Sequence, residues 1–423
     1  MNIEWSEFGQ RLGQGSGIGE LMTDLGEALA SEGDVKMLGG GQPALIPEVE
    51  AVWQRRWQEL EQAGELGKVL GNYQPPAGGI AFRQVLAEML QREFGWEVGP
   101  ENIAVTAGGQ TAFFFLFNAL AGKMPDGRQR QILLPLVPEY IGYTDQSVDG
   151  ELFKVFRPRI EKTGPHQFKY SIDFDALEID ESIAAICVSR PTNPSGNLLV
   201  DGEIAQLRAL AAEHGIPLII DNAYGAPFPN IIFGEASPVW DEDLIVTMSL
   251  SKLGLPGTRT GIVVARPEIA RALGEMTGVV GLANGNVGQA IVQPLLESGE
   301  LLKLSNEVML PFYRKKSEQA LTWVAEFFPD EMNYHVHRSE GALFLWFWFE
   351  DLPIPSKELY ERCKARGTLV VPGEYFFFGE EACWQHAREC IRVTFTMDEE
   401  IVREGLRIIA EEAIAAYRLP NKS

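Results

Sequence analysis

The sequence predicts an α/β fold: a large domain with a mainly parallel sheet, followed by a smaller C-terminal α/β domain. Short apolar runs alternate with helical patterns through the middle of the chain, and the pattern changes after about residue 300. The runs do not alternate between apolar and polar residues, which is typical of strands buried on both faces of a parallel sheet. Strand–helix alternation favours parallel strands joined by right-handed crossovers.

The apolar runs of the first region are short, and turn-forming residues separate them from the helical patterns. The helix predicted over 202–215, for example, ends at a glycine that precedes Pro217. The elements predicted here are strands Ile103–Thr106, Ile132–Leu136, Ala184–Val188, Leu218–Asp221, Leu244–Met248 and Gly261–Ala265, and helices over 112–122 and 202–215. Sheets of this kind bind ligands at the carboxyl ends of their strands.

The change of pattern also predicts the division of the chain. Residues 1–45 are rich in glycine and are predicted to form an arm and a loop at the mouth of a site. Residues 46–305 are predicted as the large domain and residues 306–423 as the small one. The elements predicted near and after residue 300 are helices over 302–328, 356–366 and 399–417 and strands over 342–349, 368–371 and 391–396.

Composition and charge exclude several classes of protein. The formal net charge of -23 argues against nucleic acid or an anionic membrane as the main partner. No apolar run is long enough to span a bilayer, and four cysteines in 423 residues suit a reducing cytoplasm. Cys383, His386 and Cys390 match no established metal spacing, so no metal is predicted. His335 and His337, which alternate along a predicted strand, are interpreted as surface histidines.

One segment carries a candidate nucleophile. An apolar strand runs into Ser249-x-Ser251-Lys252, and Arg259 follows seven residues after the lysine. Burial and nearby positive charge lower the pKa of a lysine, which makes its amine a nucleophile toward an aldehyde. The two hydroxyls and the arginine can hold a phosphate. The alternative interpretation is a surface lysine in a polar turn.

Other polar or aromatic side chains follow predicted strands. Asp221 ends one strand and Tyr224 comes three residues later, while Asn193 precedes a proline and Tyr140 follows another strand. These side chains suit a bound aromatic ring that carries a nitrogen and an oxygen. A carboxylate can pair with the protonated ring nitrogen, a phenol and an amide can bond the ring oxygen, and an aromatic side chain can stack on the ring. Taken one at a time, each residue also has an ordinary structural interpretation: Asp221 as a helix cap, Asn193 as part of a turn and Tyr140 as a core tyrosine.

Two further features suit anions. Gly109 and Gln110 stand where a predicted strand meets a helix, and free N–H groups at a helix start bind phosphate. The dinucleotide fingerprint GxGxxG is absent. Arg392 lies in an apolar strand of the second domain, and its planar fork suits a substrate carboxylate. A structural salt bridge is the alternative for this arginine.

Taken in order along the chain, these motifs resemble the class I/II aminotransferases, fold-type I enzymes that use pyridoxal 5'-phosphate (PLP). The resemblance covers nearly the whole chain. It implies that Lys252 is catalytic and bonds the aldehyde of the cofactor, and that Arg392 and Asn193 bind substrate. The cofactor-binding residues that it implies are Gly109, Gln110, Tyr140, Asn193, Asp221, Tyr224, Ser249, Ser251, Lys252 and Arg259.

The resemblance also implies a homodimer. Tyr73 is similar to the tyrosine of the family's Tyr-x-x-x-x-Gly segment, which reaches the phosphate of the neighbouring subunit's cofactor. Gly40 lies in the loop predicted at the mouth of the site, called the mouth loop below, and is predicted to let this loop pass close to the substrate. Two departures from the family pattern, Asn222 after the aspartate and Ser195 in Asn-Pro-Ser-Gly, remove none of the implied contacts.

Longer stretches such as VSRPTNPSGN and SLSKLGLPGTRTG narrow the resemblance to members that act on small apolar amino acids. They imply the conversion of valine and pyruvate to 3-methyl-2-oxobutanoate and alanine by a ping-pong mechanism. Alternatives are another amino-acid specificity and a PLP-dependent lyase or decarboxylase. A PLP-sensing regulator and a nucleotide-binding protein fit less well, because neither a DNA-binding domain nor a phosphate-loop motif is visible.

Overall fold

The computed structural model of the protein describes residues 3–13, 15, 19, 23, 26 and 35–418. Much of the arm predicted within residues 1–45, and the last five residues of the domain predicted over 306–423, therefore lie outside the described residues. The described part of the chain forms two large sheets and one two-stranded sheet.

The strands range from two to seven residues. In chain order they are β1 (Lys36–Met37), β2 (Ile103–Thr106), β3 (Gly122–Lys123), β4 (Gln129–Leu134), β5 (Phe153–Val155), β6 (Arg159–Gly164), β7 (Gln167–Ser171), β8 (Ile183–Ser189), β9 (Leu218–Asp221), β10 (Leu244–Ser249), β11 (Gly261–Val264), β12 (Tyr334–His337), β13 (Phe344–Phe349), β14 (Thr368–Leu369), β15 (Val371–Pro372) and β16 (Cys390–Thr394).

The helices cover both ends of the chain and the crossovers between strands. They are α1 (Glu7–Gly13), α2 (Pro47–Gln62), α3 (Leu66–Gly71), α4 (Ile80–Phe94), α5 (Gly109–Leu120), α6 (Asp201–Glu213), α7 (Pro267–Gly281), α8 (Val287–Glu297), α9 (Glu300–Lys303), α10 (Leu310–Phe327), α11 (Ser356–Ala365), α12 (Gln385–Arg388) and α13 (Glu399–Tyr417). A π-helical turn, Leu304–Met309, joins α9 to α10, and short 3-10 helices lie at Pro100–Asn102, Ile141–Tyr143, Ser251–Leu253, Pro256–Thr258, Gly373–Phe376 and Gly379–Cys383.

The eight-stranded sheet has the order β2-β11-β10-β9-β8-β4-β3, with β5 beside β4. Strands β10, β9, β8 and β4 run parallel to one another, and β11 runs antiparallel to both of its neighbours. Every residue of β2, β8, β9, β10 and β11 is buried, as the non-alternating apolar runs predict. The predicted α/β fold with a mainly parallel sheet is therefore confirmed.

The six-stranded sheet has the order β15-β16-β13-β12-β7-β6. Its last two strands come from residues 159–171, more than 160 positions before the strands they join; β7 pairs in parallel with β12 through Val336 and His337. Strand β1, which directly precedes the mouth loop (residues 38–44), also pairs with β14 and ties this part of the chain to the C-terminal region. The division at residue 305 remains a prediction, since β6 and β7 share a sheet with strands that follow it.

Three local predictions differ from the structure. Residues 368–371 form parts of two short strands, and the helix over 302–328 contains the π-helical turn. The prediction of surface histidines is wrong. His335 and His337 are both buried, because β12 has a neighbour on each side, and burial lowers the pKa of His337 to about 3.

Within the described ranges, none of the helices is long and apolar enough to cross a membrane. Over the same residues, no group of three or more His, Cys, Asp or Glu side chains is placed to hold a metal ion. His386 instead shares a hydrogen bond with the hydroxyl of Tyr170, at 2.5 Å between Nε2 and Oη.

Candidate active site

The carboxyl ends of β8, β9 and β10 meet beneath a cavity of about 450 Å³. All of the residues that the sequence proposes for the site, except Tyr73, line this cavity. They are Gly40, Gly109, Gln110, Tyr140, Asn193, Asp221, Tyr224, Ser249, Ser251, Lys252, Arg259 and Arg392.

Lys252 stands in a short 3-10 turn just after β10, so its side chain enters the cavity from a strand end. Its Nζ donates a hydrogen bond to the carbonyl of Gly41 at 2.5 Å and lies 5.3 Å from the centre of the Tyr224 ring. Desolvation, followed by the positive charge of Arg392, lowers the pKa of Lys252 to about 8, although the negative charge of Asp221 acts in the opposite direction. A neutral, nucleophilic amine is therefore accessible near physiological pH.

Asp221 ends β9 and is flanked in register by Ser189 of β8 and Thr247 of β10. Its Oδ2 accepts a hydrogen bond from the hydroxyl of Tyr143 at 2.5 Å, and its Oδ1 accepts from the N–H of Ala223 at 3.0 Å. Burial raises the pKa of Asp221, whereas these hydrogen bonds lower it. A buried carboxylate held in this way is suited to pair with a protonated ring nitrogen.

Tyr143 and Glu139 are parts of the site that the sequence did not single out. Tyr143 follows the predicted aromatic Tyr140 by three residues, a spacing that places both rings on one side of a helical turn and was the available signal. Glu139 accepts hydrogen bonds from the N–H and hydroxyl of Ser189 and from the N–H of Tyr140. Burial raises the pKa of Glu139 to about 8. No sequence pattern marks this glutamate.

An anion site lies at the start of α5. The helix begins at Gly109, directly after a left-handed Gly108 (φ 90°), and a Cβ at Gly108 would collide with the guanidinium of Arg259. The hydroxyls of Ser249 and Ser251 lie 3.0 Å apart on the opposite loop. The free N–H groups of a helix start, an arginine and two hydroxyls form a donor set for a phosphate dianion.

Arg392 reaches the cavity from β16 of the other sheet. Its Nη1 donates to Oδ1 of Asn193 and its Nη2 to the carbonyl of Gly39, both at 2.7 Å. The guanidinium carbon lies 4.2 Å from the centre of the Phe344 ring and 5.1 Å from that of Phe376. Burial lowers the pKa of Arg392 to about 10, so the group stays charged at neutral pH.

The charge of Arg392 has no carboxylate partner among the ion pairs of the described residues, and its buried Nε has no hydrogen-bond partner there. A buried, unpaired guanidinium is costly, and a bidentate carboxylate would remove that cost. This arrangement favours substrate binding over the structural salt bridge as the role of this arginine.

Asn193 and Tyr224 face the same cavity with their donors available. The oxygen of the Asn193 amide is held by Arg392, so its Nδ2 is the end left to donate. Burial raises the pKa of Tyr224, which keeps its hydroxyl protonated. Tyr140 packs edge-on against Tyr143, with ring centres 5.3 Å apart, and Gln110 donates from Nε2 to the carbonyl of Gly142 at 2.7 Å.

The mouth loop lines the cavity at Gly40, and the role of this residue toward the substrate stays a prediction; the hydrogen bonds of the loop to the reactive groups come from the neighbours of Gly40. The carbonyls of Gly39 and Gly41 accept from Arg392 and Lys252. The sequence does not indicate either carbonyl, because every residue type has a backbone carbonyl. Tyr73 is 81% exposed and lies outside the cavity, so its contact with a neighbouring subunit remains a prediction.

The donor set fits PLP. An anion site, a buried carboxylate and an amine with a lowered pKa suit the phosphate, the ring nitrogen and the aldehyde of that cofactor, respectively. The orphaned Nε of Arg392 leaves a further position for the carboxylate of an amino acid.

Comparison with known proteins agrees with this chemistry. The family described as "Aminotransferase class I and II" matches residues 39–409. The valine–pyruvate aminotransferase of Escherichia coli K12 is 46% identical over 415 residues, which cover 98% of this chain and 99% of that enzyme.

Two solved structures resemble the whole chain. A protein from Psychrobacter arcticum 273-4 is 42% identical and superposes with a TM-score of 0.95, covering 99% of this chain and 100% of that one. The valine–pyruvate aminotransferase of Salmonella typhimurium LT2 is 43% identical, with a TM-score of 0.87 over 96% of this chain and 100% of that one.

Proposed function

Because the chain belongs to the class I and II aminotransferases, enzymes that depend on PLP, we propose that it transfers an amino group between valine and pyruvate. The products are 3-methyl-2-oxobutanoate and alanine, formed by a ping-pong mechanism. The observation that carries this proposal is the single cavity in which the amine of Lys252, the carboxylate of Asp221 and the unpaired guanidinium of Arg392 meet. The similarity to valine–pyruvate aminotransferases supports the choice of substrates.

When bound, PLP supplies an electron sink for the negative charge that develops at the substrate Cα. The residues of the chain do the rest. Arg392 binds the substrate carboxylate and orients the Cα–H bond toward Lys252. The amine of Lys252 would act as the base that takes the proton from the substrate Cα and then as the acid that gives it back, a task that a pKa near 8 suits. Asp221 keeps the ring nitrogen protonated, and Tyr224 and Asn193 donate to the ring oxygen.

The charges of the cavity support an apolar substrate side chain. Among the described lining residues, the cations are Lys252, Arg259 and Arg392. The first is the reactive amine, the second belongs to the phosphate site and the third is assigned to the substrate carboxylate. None of these three is left for a second carboxylate, and Met37 and Met397 add apolar surface at the mouth. A small apolar amino acid therefore suits the cavity better than aspartate or glutamate.

We also propose a homodimer in the cytoplasm. Tyr73, Ile80 (62% exposed) and Val279 (87%) are exposed apolar side chains, and their segments approach each other where Pro76 lies 3.5 Å from the Cβ position of Gly278. An exposed apolar patch of this kind is typical of a subunit interface. Pairing would cover the patch and bring Tyr73 toward the neighbouring site. Free thiols at all four cysteines support a reducing compartment.

Purified protein with PLP tests the proposed activity. With valine and pyruvate, alanine and 3-methyl-2-oxobutanoate should appear in equal amounts. The kcat/KM for valine should exceed that for aspartate or glutamate by about tenfold or more, because an unpaired buried carboxylate is costly to bind. A better rate with glutamate would contradict the specificity, and release of ammonia or carbon dioxide would indicate a lyase or decarboxylase. Sedimentation of the same sample tests the dimer.

A further inference from the structure

The mouth loop, residues 38–44, forms one wall of the cavity. Residues 39–43 all line it, whereas Leu38 and Ala44 at the two ends do not. At the first end, the N–H of Thr394 in β16 donates to the carbonyl of Leu38 at 2.8 Å. At the second end, the N–H of Ala44 donates to the hydroxyl oxygen of Tyr313 at 3.0 Å. The loop is thus a short segment that is hydrogen-bonded to the rest of the protein at both ends.

The middle of the loop is hydrogen-bonded to two side chains that also take part in the proposed reaction. Gly39 accepts from Arg392 and Gly41 accepts from Lys252. A substrate carboxylate at Arg392 competes with the hydrogen bond to Gly39, and a bond between Lys252 and the cofactor competes with the hydrogen bond to Gly41. The hydrogen bonds at the ends of the loop involve no such group and can persist through the reaction. A further one joins the hydroxyl of Thr396 to the carbonyl of Gln42 at 3.0 Å.

Tyr313 is suited to act through the loop alone. It is fully buried in α10, shortly after the π-helical turn, and its ring packs edge-on against Phe312. Tyr313 is not among the residues that line the cavity. Its hydroxyl accepts the N–H of Ala44, which lies 269 positions earlier in the chain. π-Helical turns are often found at functional sites.

We propose that Tyr313 is a positioning residue that holds the mouth loop and thereby sets how tightly the cavity encloses the side chain of the amino-acid substrate. Thr396 is the second side-chain anchor of the same wall. The inference rests on the proposed function for the choice of substrate, and on the geometry of the loop for the rest. Without the hydroxyl, the partly buried N–H of Ala44 loses its acceptor and must turn toward water, which moves the wall outward.

The test compares Tyr313→Phe with Tyr417→Phe. The hydroxyl of Tyr417, like that of Tyr313, bonds distant backbone, but as a donor to the carbonyls of Asn333 and Glu350 at 2.9 and 2.8 Å, and Tyr417 does not line the cavity. Three readouts are measured on protein loaded with PLP: deuterium uptake of a peptide spanning 38–46, KM and kcat for valine and leucine, and the visible absorption spectrum.

Tyr313→Phe should increase the exchange rate of the 38–46 peptide and the KM for valine by about fivefold each, the effect of one lost hydrogen bond. The kcat and the absorption spectrum should change little, and the preference for valine over the larger leucine should fall. Thr396→Val should act in the same direction, which keeps the proposal testable if Tyr313→Phe does not fold. Tyr417→Phe should match the unaltered protein.

Unchanged exchange in the 38–46 peptide of Tyr313→Phe, or an equal rise of KM in Tyr417→Phe, would overturn the proposal. Failure of the proposed function gives a different result. The protein would then use another amino acid as its donor, and Tyr313→Phe would still increase loop exchange and the KM for that donor.

Discussion

On one side of the cavity, Asp221 and Lys252 come from neighbouring strands of a single sheet, whereas on the other side Arg392 comes from a second sheet. The first side is held by backbone pairing: Ser189, Asp221 and Thr247 lie in register across β8, β9 and β10. On the second side, Arg392 also lies in a paired strand, but its guanidinium contacts the cavity wall through hydrogen bonds to distant groups, as when it donates to the carbonyl of Gly39. A ligand can replace bonds of the second kind but cannot replace a strand ladder.

This difference implies a division of work. The side formed by strand ends is rigid before any ligand binds, which suits a cofactor that stays in place. The side formed by Arg392 and the mouth loop must exchange its partners in each half-reaction. Cofactor retention and substrate affinity should therefore respond to different substitutions.

The largest expected effect is that of Lys252→Ala on the rigid side. Turnover should fall by about a thousandfold or more, since the amine that transfers the proton is removed. The absorption band of the bond between Lys252 and the PLP aldehyde should also be lost, because the aldehyde has no lysine amine to bond. Steady-state assays and a spectrum measure both. Substitution of the exposed Lys303 by alanine serves as the control, and an active, coloured Lys252→Ala protein would contradict the assignment.

An intermediate effect is expected for Arg392→Lys on the exchanging side. The charge is kept, but the fork that bonds Asn193 and Gly39 is lost, and lysine cannot bind a carboxylate bidentately. The KM for valine should rise by about tenfold to a hundredfold, while the affinity for PLP should hardly change. Steady-state kinetics and titration of the apoprotein with PLP separate the two. Loss of PLP with an unaltered KM would refute the division of work.

The smallest effect is expected for Tyr143→Phe, which removes the hydroxyl that bonds Asp221 from below the strand end. The dissociation constant of PLP should rise by about fivefold, the effect of one hydrogen bond, with little change in the KM for valine. The opposite pattern, an altered KM with unaltered cofactor affinity, would show that this tyrosine serves the substrate side. Fluorescence or absorbance titration of the apoprotein gives the constant.

The side formed by strand ends could be predicted in some detail. The strand Leu218–Asp221 has the bounds that its apolar run predicts, and parallel strands bring their carboxyl ends to one edge. Asn193 and Lys252 reach the same edge because they follow β8 and β10, the two strands that flank β9. Tyr143 was missed, although its spacing from Tyr140 carried a signal.

For the side formed by Arg392 and the mouth loop, the sequence predicts which residue types take part but not which groups they contact. Arg392 is recognisable as an arginine in an apolar strand, but its acceptor Gly39 is 353 positions away and contributes only a carbonyl. His335 and His337 show the same limit. Their alternation predicts a strand correctly, but only the pairing of β12 with β7 and β13 determines that both are buried.

The sequence by itself determined the α/β class, the order of the chemical groups and the strand ends that carry most of them, because these depend on local periodicity and residue type. Only the tertiary structure decided that β6 and β7 join the second sheet and that Tyr143 bonds Asp221. It also decided that the mouth loop is held at both ends. Burial, a lowered lysine pKa and a shared cavity arise from contacts between distant segments, and no local pattern encodes which segments meet.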